Sequence, residues 1–168
     1  MSATIRRLTA ADLDAVMRVQ AACYPPALNE ERALFARRLA AAPDTVWLAE
    51  SAGAACAYLF CYLSQPGRIT PLGGDFSPCR SATALYLHDL AVAPAAAGQG
   101  LGGRLVATAI AAAQGLGLTQ ATLVAVRDAE KFWRAQGFRR ADELPAEQQA
   151  RLAGYGPAAV YMQRPLAA

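Results

Sequence analysis

The stretch that decides the fold is residues 87–105, LHDLAVAPAAAGQGLGGRL, in which an apolar run leads into a concentration of glycine. The run ends at Pro94, and four of the six residues from 98 to 103 are glycine. Glycine lacks a Cβ atom, so this density predicts a loop whose main chain closely approaches another molecule. The pattern indicates a strand over residues 84–92, the glycine loop, and a helix to about residue 113.

The remaining elements are predicted from hydrophobic periodicity and from cap and turn residues. Thr9 and Asp12 form a weak capping box, and Asn29 is a candidate N-cap for a second helix. Residues 64–81 are rich in Pro, Gly and Ser, and a loop of this length is typical of a functional segment. A chain of this length fits a single domain over residues 1–168. The other predicted strands are 5–8, 45–50, 55–63, 121–126 and 158–164, and the later helices are 128–136 and 145–154.

Composition narrows the function classes. The chain is 55% hydrophobic with a net charge of +3, and its arginines are scattered, so neither disorder nor a nucleic-acid partner is expected. The four cysteines and one histidine lack metal-ligand spacing, which predicts no metal site and favours buried free thiols. Residues 105–126 carry no charge, but a turn around Gly117 divides them into a helix and a strand. The sequence therefore predicts a cytoplasmic protein without a membrane segment.

The glycine loop has two interpretations. Gly98, Gly100 and Gly103 satisfy the dinucleotide fingerprint G-x-G-x-x-G, which would indicate a nicotinamide-dependent oxidoreductase. In that fold the strand runs almost directly into the first glycine, whereas residues 93–97, with a proline, intervene here. Two helices and a hairpin also precede the glycine strand, in place of a repeated strand–helix–strand half. The context therefore disfavours the dinucleotide interpretation.

The second interpretation rests on two motifs. A strand ending in L-x-V-x-P, a short turn and G-x-G-x-G at a helix start resembles the acetyl-CoA segment of the GNAT superfamily of N-acetyltransferases. Residues 132–138, FWRAQGF, are similar to a later segment of that superfamily, in the right order and at the right separation. The resemblance implies an α+β (three-layer α/β) fold. It has a mixed, mostly antiparallel sheet flanked by helices, with the cofactor in a splay after the strand ending at Val92.

The resemblance implies an acyltransferase that moves an acetyl group from acetyl-CoA to a primary amine on a small molecule or a peptide. Main-chain amides at the start of the helix would bind the pyrophosphate, because the helix dipole favours negative charge there. The preceding strand would bind the pantetheine arm. A homodimer remains compatible with the sequence. The implied cofactor-binding residues are Leu90, Ala91, Val92, Ala97, Gly98, Gln99, Gly100, Leu101, Gly102, Gly103, Phe132 and Trp133.

Three positions depart from the family pattern. Ala97 stands where Arg or Gln is usual, and Val126 stands where an asparagine is frequent. Trp133 replaces a tyrosine thought to protonate the departing thiolate, and an indole cannot act as an acid near neutral pH. Trp133 is therefore interpreted as a core or cofactor-packing residue. These departures keep a second hypothesis open, a catalytically silent acyl-CoA-binding module.

The candidate catalytic residues are His88 and Asp89, just before the strand segment that would hold the coenzyme. His88 is the first choice for a base because histidine titrates near neutral pH, and Asp89 is the second. Strand alternation would put His88 with Leu90 and Val92 on one face and Asp89 on the other, unless a bulge changes it. The candidate acceptor-binding residues, between the first helices and in the long loop, are Tyr24, Asp75, Phe76 and Arg80.

Overall fold

The computed structural model describes residues 2–167, in which seven strands form a single sheet with helices on both faces. Four short 3₁₀ turns join the longer elements. The strands are β1 (Thr4–Arg7), β2 (Val46–Ser51), β3 (Ala54–Ser64), β4 (Ala84–Val92), β5 (Gln120–Ala125), β6 (Arg139–Arg140) and β7 (Val160–Pro165); the helices are α1 (Leu13–Cys23), α2 (Arg32–Ala41), α3 (Leu101–Gly115), α4 (Glu130–Ala135) and α5 (Ala146–Ala153).

The strand order is β1-β2-β3-β4-β5-β7-β6. Neighbouring strands run antiparallel except β4 and β5, which run parallel because α3 carries the chain back across the sheet. The sheet is therefore mixed and mostly antiparallel, and the predicted α+β architecture is confirmed.

Two hydrophobic cores cover the two faces of the sheet. On one face, Leu105 and Ile110 of α3 pack against Leu59 and Leu85. On the other face, α1 and α2 pack on β3, where the Phe35 ring makes edge contacts with Tyr58 and Phe60 at centroid distances of 5.9 and 5.2 Å. Alternating side chains of the same strands point into the two cores. The protein therefore has three layers, with the sheet between two layers of helices.

The start of α2 differs from the prediction. Asn29 follows a 3₁₀ turn at Pro26–Leu28 in an extended conformation, and α2 begins at Arg32. The amide of Glu30 donates to the Gln20 side chain at 2.8 Å, and the Gln20 amide group donates back to the Glu30 carbonyl at 3.0 Å. These two bonds hold the segment against α1, so Asn29 is not the N-cap.

The expected division of residues 105–126 into a helix and a strand is confirmed, whereas the expectation of buried cysteines changes in detail. The uncharged segment 105–126 forms the end of α3, a turn and β5, and no helix within residues 2–167 is long and apolar enough to cross a membrane. Cys61 is buried as expected, whereas Cys23, Cys56 and Cys79 are partly exposed. The two-residue strand β6 was not predicted, because so short a segment carries no periodicity.

Candidate active site

The site begins where β4 and β5 separate. Their last paired residues are Leu87 and Leu123, after which β5 continues along β7 and β4 continues along β3. The part of β4 from His88 to Val92 therefore borders a gap on its β5 side. Sequence analysis placed this splay after Val92, but it opens within β4, because the parallel ladder ends well before the strand does.

A β-bulge gives β4 its functional geometry. Phe60 pairs with Asp89 and the next residue, Cys61, pairs with Leu87, so His88 is an extra residue in the strand. The bulge turns His88 and Asp89 to the same face, that of α1 and α2. The strict alternation that grouped His88 with Leu90 and Val92 is therefore wrong, since the latter two pack on the α3 side.

Asp89 lies between two phenols. The Tyr58 hydroxyl donates to its Oδ2 at 3.0 Å, and the Tyr24 hydroxyl donates to its Oδ1 at 3.2 Å. Desolvation by burial raises the pKa of Asp89 to about 6, although the two hydrogen bonds oppose that rise. No cation forms an ion pair with this carboxylate among the described residues. Asp89 is therefore a carboxylate that exchanges a proton close to neutral pH.

His88 is held by rings. Its imidazole lies edge-on to Phe76, with centroids 5.2 Å apart, and 6.1 Å from Tyr86. Burial, and next the nearby charge of Arg38, lower the pKa of His88 to about 3. The imidazole is therefore neutral across the physiological range and is a weaker base than Asp89.

The glycine loop, residues 97–103, presents a row of free main-chain donors. Gly98 and Gly100 adopt φ values of +79° and +71°, a conformation that favours glycine, and Gly100 caps α3 without a side-chain bond. Within residues 2–167, no amide from 98 to 103 donates a hydrogen bond to the protein. Free main-chain donors at a helix start are an arrangement that favours anions, a pyrophosphate among them.

Two residues near the loop have other partners. The amide of Ala97 donates to the Pro94 carbonyl at 3.1 Å, so the free donors begin at Gly98. The guanidinium of Arg104, one turn into α3, donates to the Ala3 carbonyl at 2.8 Å, so it does not replace the missing Arg or Gln.

The later motif packs beneath the loop. A Cβ atom on Gly102 would lie 3.2 Å from the Phe132 ring. The ring packs so close to the main chain of the loop that this position favours glycine. Trp133 is buried and meets Phe132 and Phe138 in edge contacts with centroids 5.0 and 5.5 Å apart. Its position in the core agrees with the packing role predicted for it.

A cavity of about 390 Å³ opens on the α1 and α2 face of the splay. Asp89 and His88 form part of its wall, together with Val124 of β5 and Val126, which follows that strand. Five segments far apart in sequence therefore converge there. The other lining residues are Gln20, Tyr24, Ala27, Leu28, Asn29, Glu30, Leu72, Gly73, Tyr86, Arg127 and Tyr155.

The structure places the four candidate acceptor residues in different environments. Tyr24 lines the cavity and contacts Asp89. Asp75 is exposed and pairs with Arg37 at 2.8 Å, and Arg80 is exposed outside the cavity lining. Phe76 is buried, stacks on Tyr62 with centroids 4.5 Å apart, and supports His88 from behind. Three of the four are therefore structural or surface residues by position.

The long loop 64–81 is tied to the end of the chain. Tyr155 donates to the Thr70 carbonyl, and the Tyr161 hydroxyl accepts from the Gly67 amide at 2.7 Å. Arg151 of α5 adds a bond to the Ile69 carbonyl at 3.0 Å. Both tyrosines hold this loop, which makes it a wall of the cavity.

An ion pair that the sequence did not predict links α2 to the segment after α1 and to the long loop. The fully buried Arg38 binds the Glu30 carboxylate at 2.8 and 3.0 Å and also donates to the Gly74 carbonyl. Tyr58 and Arg127 were missed as well. No local pattern signals Arg38 or Tyr58, because their partners lie in other segments. Arg127 is found only through its place in the lining of the cavity.

The model of the acetyltransferase (GNAT) family matches residues 13–138. The chain belongs to this family. No curated protein sequence matches significantly.

Solved GNAT structures share the fold. A GNAT-like decarboxylase, GphF, in complex with isobutyryl-CoA has a TM-score of 0.78 at 21% identity, covering 98% of this chain and 100% of that one. The ribosomal-protein-S18-alanine N-acetyltransferase of Escherichia coli gives 0.70 at 17%, with 99% and 96% coverage. The PaiA N-acetyltransferase of Thermoplasma acidophilum, in complex with coenzyme A, gives 0.72 at 13%, with 98% and 99%. These three structures share the fold over 98–99% of this chain.

Proposed function

We propose that this GNAT-family enzyme transfers an acetyl group from acetyl-CoA to a primary amine by direct attack. The observation that carries the proposal is the row of six free amides from Gly98 to Gly103 beside the β4–β5 splay. The splay leads to a cavity that contains Asp89. Structural relatives with coenzyme A or an acyl-CoA bound support the same ligand here.

The chain offers separate places for the two ends of the coenzyme. The free amides of the glycine loop would bind the pyrophosphate, with the dipole of α3 adding to the attraction. Main-chain groups of Leu90, Ala91 and Val92 would bind the pantetheine arm along the open edge of β4. Acetyl-CoA supplies the thioester whose carbonyl carbon is attacked.

Asp89 is the base in this proposal. An aliphatic amine has a pKa of about 10 and arrives protonated, so it must lose a proton before it attacks. Asp89 accepts that proton, while Tyr24 and Tyr58 keep its two oxygens oriented. The nitrogen then bonds to the thioester carbon, the C–S bond breaks with its electron pair going to sulfur, and CoA leaves as the thiolate. The nitrogen loses its second proton to solvent water as the amide forms.

The thiolate departs without a tyrosine acid. Trp133 lies in the core, and the hydroxyls of Tyr155 and Tyr161 are engaged with the long loop. A thiol has a pKa of about 8.5, so its anion is a good leaving group. The neutral His88 shapes the cavity wall in this scheme and does not take the proton.

A thermal-shift comparison tests the coenzyme. Acetyl-CoA and CoA are expected to raise the melting temperature, and NAD(P) is expected to leave it unchanged. A screen of amines that follows free thiol then tests transfer. Stabilisation by CoA with no thiol release from any amine would identify a silent binding module, and stabilisation by NAD(P) alone would refute the proposal.

A second candidate function is decarboxylation of a carboxyacyl-CoA. It is favoured by the cavity of about 390 Å³ beyond the splay, whose valine and leucine walls suit a branched acyl group, and by the likeness to the GphF decarboxylase. This activity would release CO₂ from a carboxyacyl thioester without an amine and without free thiol. Acetyl transfer would instead need an amine and release free thiol, and it would release no CO₂.

A further inference from the structure

One cavity residue has a conformation that needs an explanation. Arg127 follows β5 with φ of +50°, in the left-handed region that residues with a Cβ atom seldom adopt. The turn Arg127–Ala129 starts there, at the point where β5 leaves the splay. Residues held in this conformation are found most often at functional sites. Arg127 is also one of the residues that line the cavity.

Arg127 is exposed at the cavity and carries a charge that no side chain pairs with among the described residues. Among residues 2–167 its guanidinium has neither an ion pair nor a hydrogen bond, whereas the buried Arg38 is fully paired. Its positive charge acts on the Tyr24 hydroxyl, which is itself bonded to Asp89. The lining of the cavity therefore includes an exposed cation, Arg127, and a carboxylate, Asp89, whose hydrogen-bond donors are both neutral.

The mouth of the cavity is apolar. Leu28, from the segment between α1 and α2, is 46% exposed, and Leu72, from the long loop, is 64% exposed. Val124 and Val126 continue this lining inward. Both leucines line the cavity, so a ligand that filled it would cover exposed aliphatic surface.

We propose that the acceptor is an amino acid with an apolar side chain. Its carboxylate pairs with Arg127, its amine faces Asp89, and its side chain lies on Leu28 and Leu72. This inference rests on the proposed function for the amine, and it adds the two other groups of the acceptor. Arginine recognises a carboxylate through two parallel N–H donors, which gives both affinity and orientation.

The experiment compares acceptors that differ only in the carboxylate. Phenylalanine and leucine are paired with phenethylamine and isoamylamine, and kcat/KM is measured by thiol release with acetyl-CoA. Wild type is expected to prefer the amino acids. In Arg127→Gln, kcat/KM for the amino acids is expected to fall roughly 10- to 100-fold, the usual loss of a charge-assisted hydrogen bond, with little change for the plain amines.

The controls separate Arg127 from general effects of charge. Arg127→Lys keeps the charge and should restore part of the preference. Arg18→Gln removes an exposed arginine of α1 that lies outside the cavity, and it should behave as wild type. An equal loss for both acceptor classes, or a raised KM for acetyl-CoA alone, would place Arg127 on the coenzyme and overturn the inference.

Calorimetry makes the inference independent of turnover. Each acceptor is titrated into the CoA-saturated protein, and binding of the amino acids is expected to depend on Arg127. If this binding is seen but no amine releases thiol, the acceptor class stands and the proposed transfer fails. If wild type binds the amino acids no better than the plain amines, the acceptor class is wrong.

Discussion

The glycine loop and the cavity are built in opposite ways. The loop presents main-chain amides from one continuous segment, and its glycines serve to shape the backbone. The cavity presents side chains from α1, β4, β5, the long loop and the segment before β7. Main-chain recognition tolerates sequence change because every residue but proline has the same N–H group. Side-chain recognition depends on the identity of each residue.

This difference explains how the departures from the family pattern can coexist with an intact site. Ala97 lacks the usual polar side chain, yet the six amides after it remain free. On the cavity side, a new side chain changes the chemistry directly. We therefore expect substitutions in the cavity to alter catalysis strongly and substitutions in the loop to act moderately, through backbone conformation.

The largest effect is expected at Asp89. Asp89→Asn keeps the shape and one acceptor for the tyrosine hydroxyls, but it removes the group that accepts the amine proton. Loss of general-base catalysis should lower kcat/KM roughly 10²- to 10⁴-fold. The measurement is steady-state thiol release at pH 8, with His88→Ala in parallel. A larger loss in His88→Ala than in Asp89→Asn would reverse the assignment of the base.

The second effect concerns stability. Arg38→Met removes the buried partner of Glu30 and of the Gly74 carbonyl, and breaking such a pair should cost about 3 kcal/mol of unfolding free energy. Chemical denaturation measures it. Arg37→Gln breaks a neighbouring but exposed pair with Asp75 and should change stability by less than about 1 kcal/mol. Similar losses of unfolding free energy in the two variants would mean that the buried pair contributes no more to stability than the exposed one.

The elements that sequence reasoning found share a local signal. The glycine loop, the strand before it, the FWRAQGF segment and the α+β order depend on residue spacing within one or two elements. The predicted N-cap at Asn29 failed because the Gln20–Glu30 bonds, formed between separate segments, hold that backbone extended. The preference of asparagine for an N-cap position was therefore overridden by a contact with another segment, which residue spacing does not reveal.

The candidate site was predictable only in part, for the same reason. His88 and Asp89 were predicted together and both line the cavity, but the bulge that puts both on one face depends on the register with β3. Tyr58, which holds Asp89, lies 31 residues away in sequence. The pKa of Asp89 follows from burial that exists only after folding. The order of the two candidates as bases could therefore not be derived from residue type.

The third prediction separates these candidates by pH. The pKa of Asp89 is raised to about 6, and the carboxylate must be ionised to accept a proton. As pH falls below 6, kcat/KM should therefore drop about tenfold per unit, and above 6 it should level off. His88, with its pKa lowered to about 3, should not contribute in this range. His88→Ala should keep the acid limb.

Tyr58→Phe sharpens that prediction. The Tyr58 hydroxyl stabilises the ionised carboxylate, so its removal should move the acid limb to higher pH. Glu30 and Arg38 also face this carboxylate, with opposite effects on its pKa. A limb that disappears in His88→Ala and is unmoved in Tyr58→Phe would show that histidine is the titrating group.

The smallest effect is expected in the glycine loop. Gly100 has φ of +71° with open space beside it, so Gly100→Ala meets no clash but must hold an L residue in the left-handed region. This should cost about 1–2 kcal/mol, in stability or in a raised KM for acetyl-CoA as the loop relaxes. Gly115→Ala, near the end of the same helix, meets neither strain nor contact and should be neutral or slightly stabilising. A raised KM for acetyl-CoA in Gly100→Ala, with the amine KM unchanged, would locate the coenzyme at the main chain. Equal behaviour of the two variants would mean that the shape of the loop is unimportant for binding.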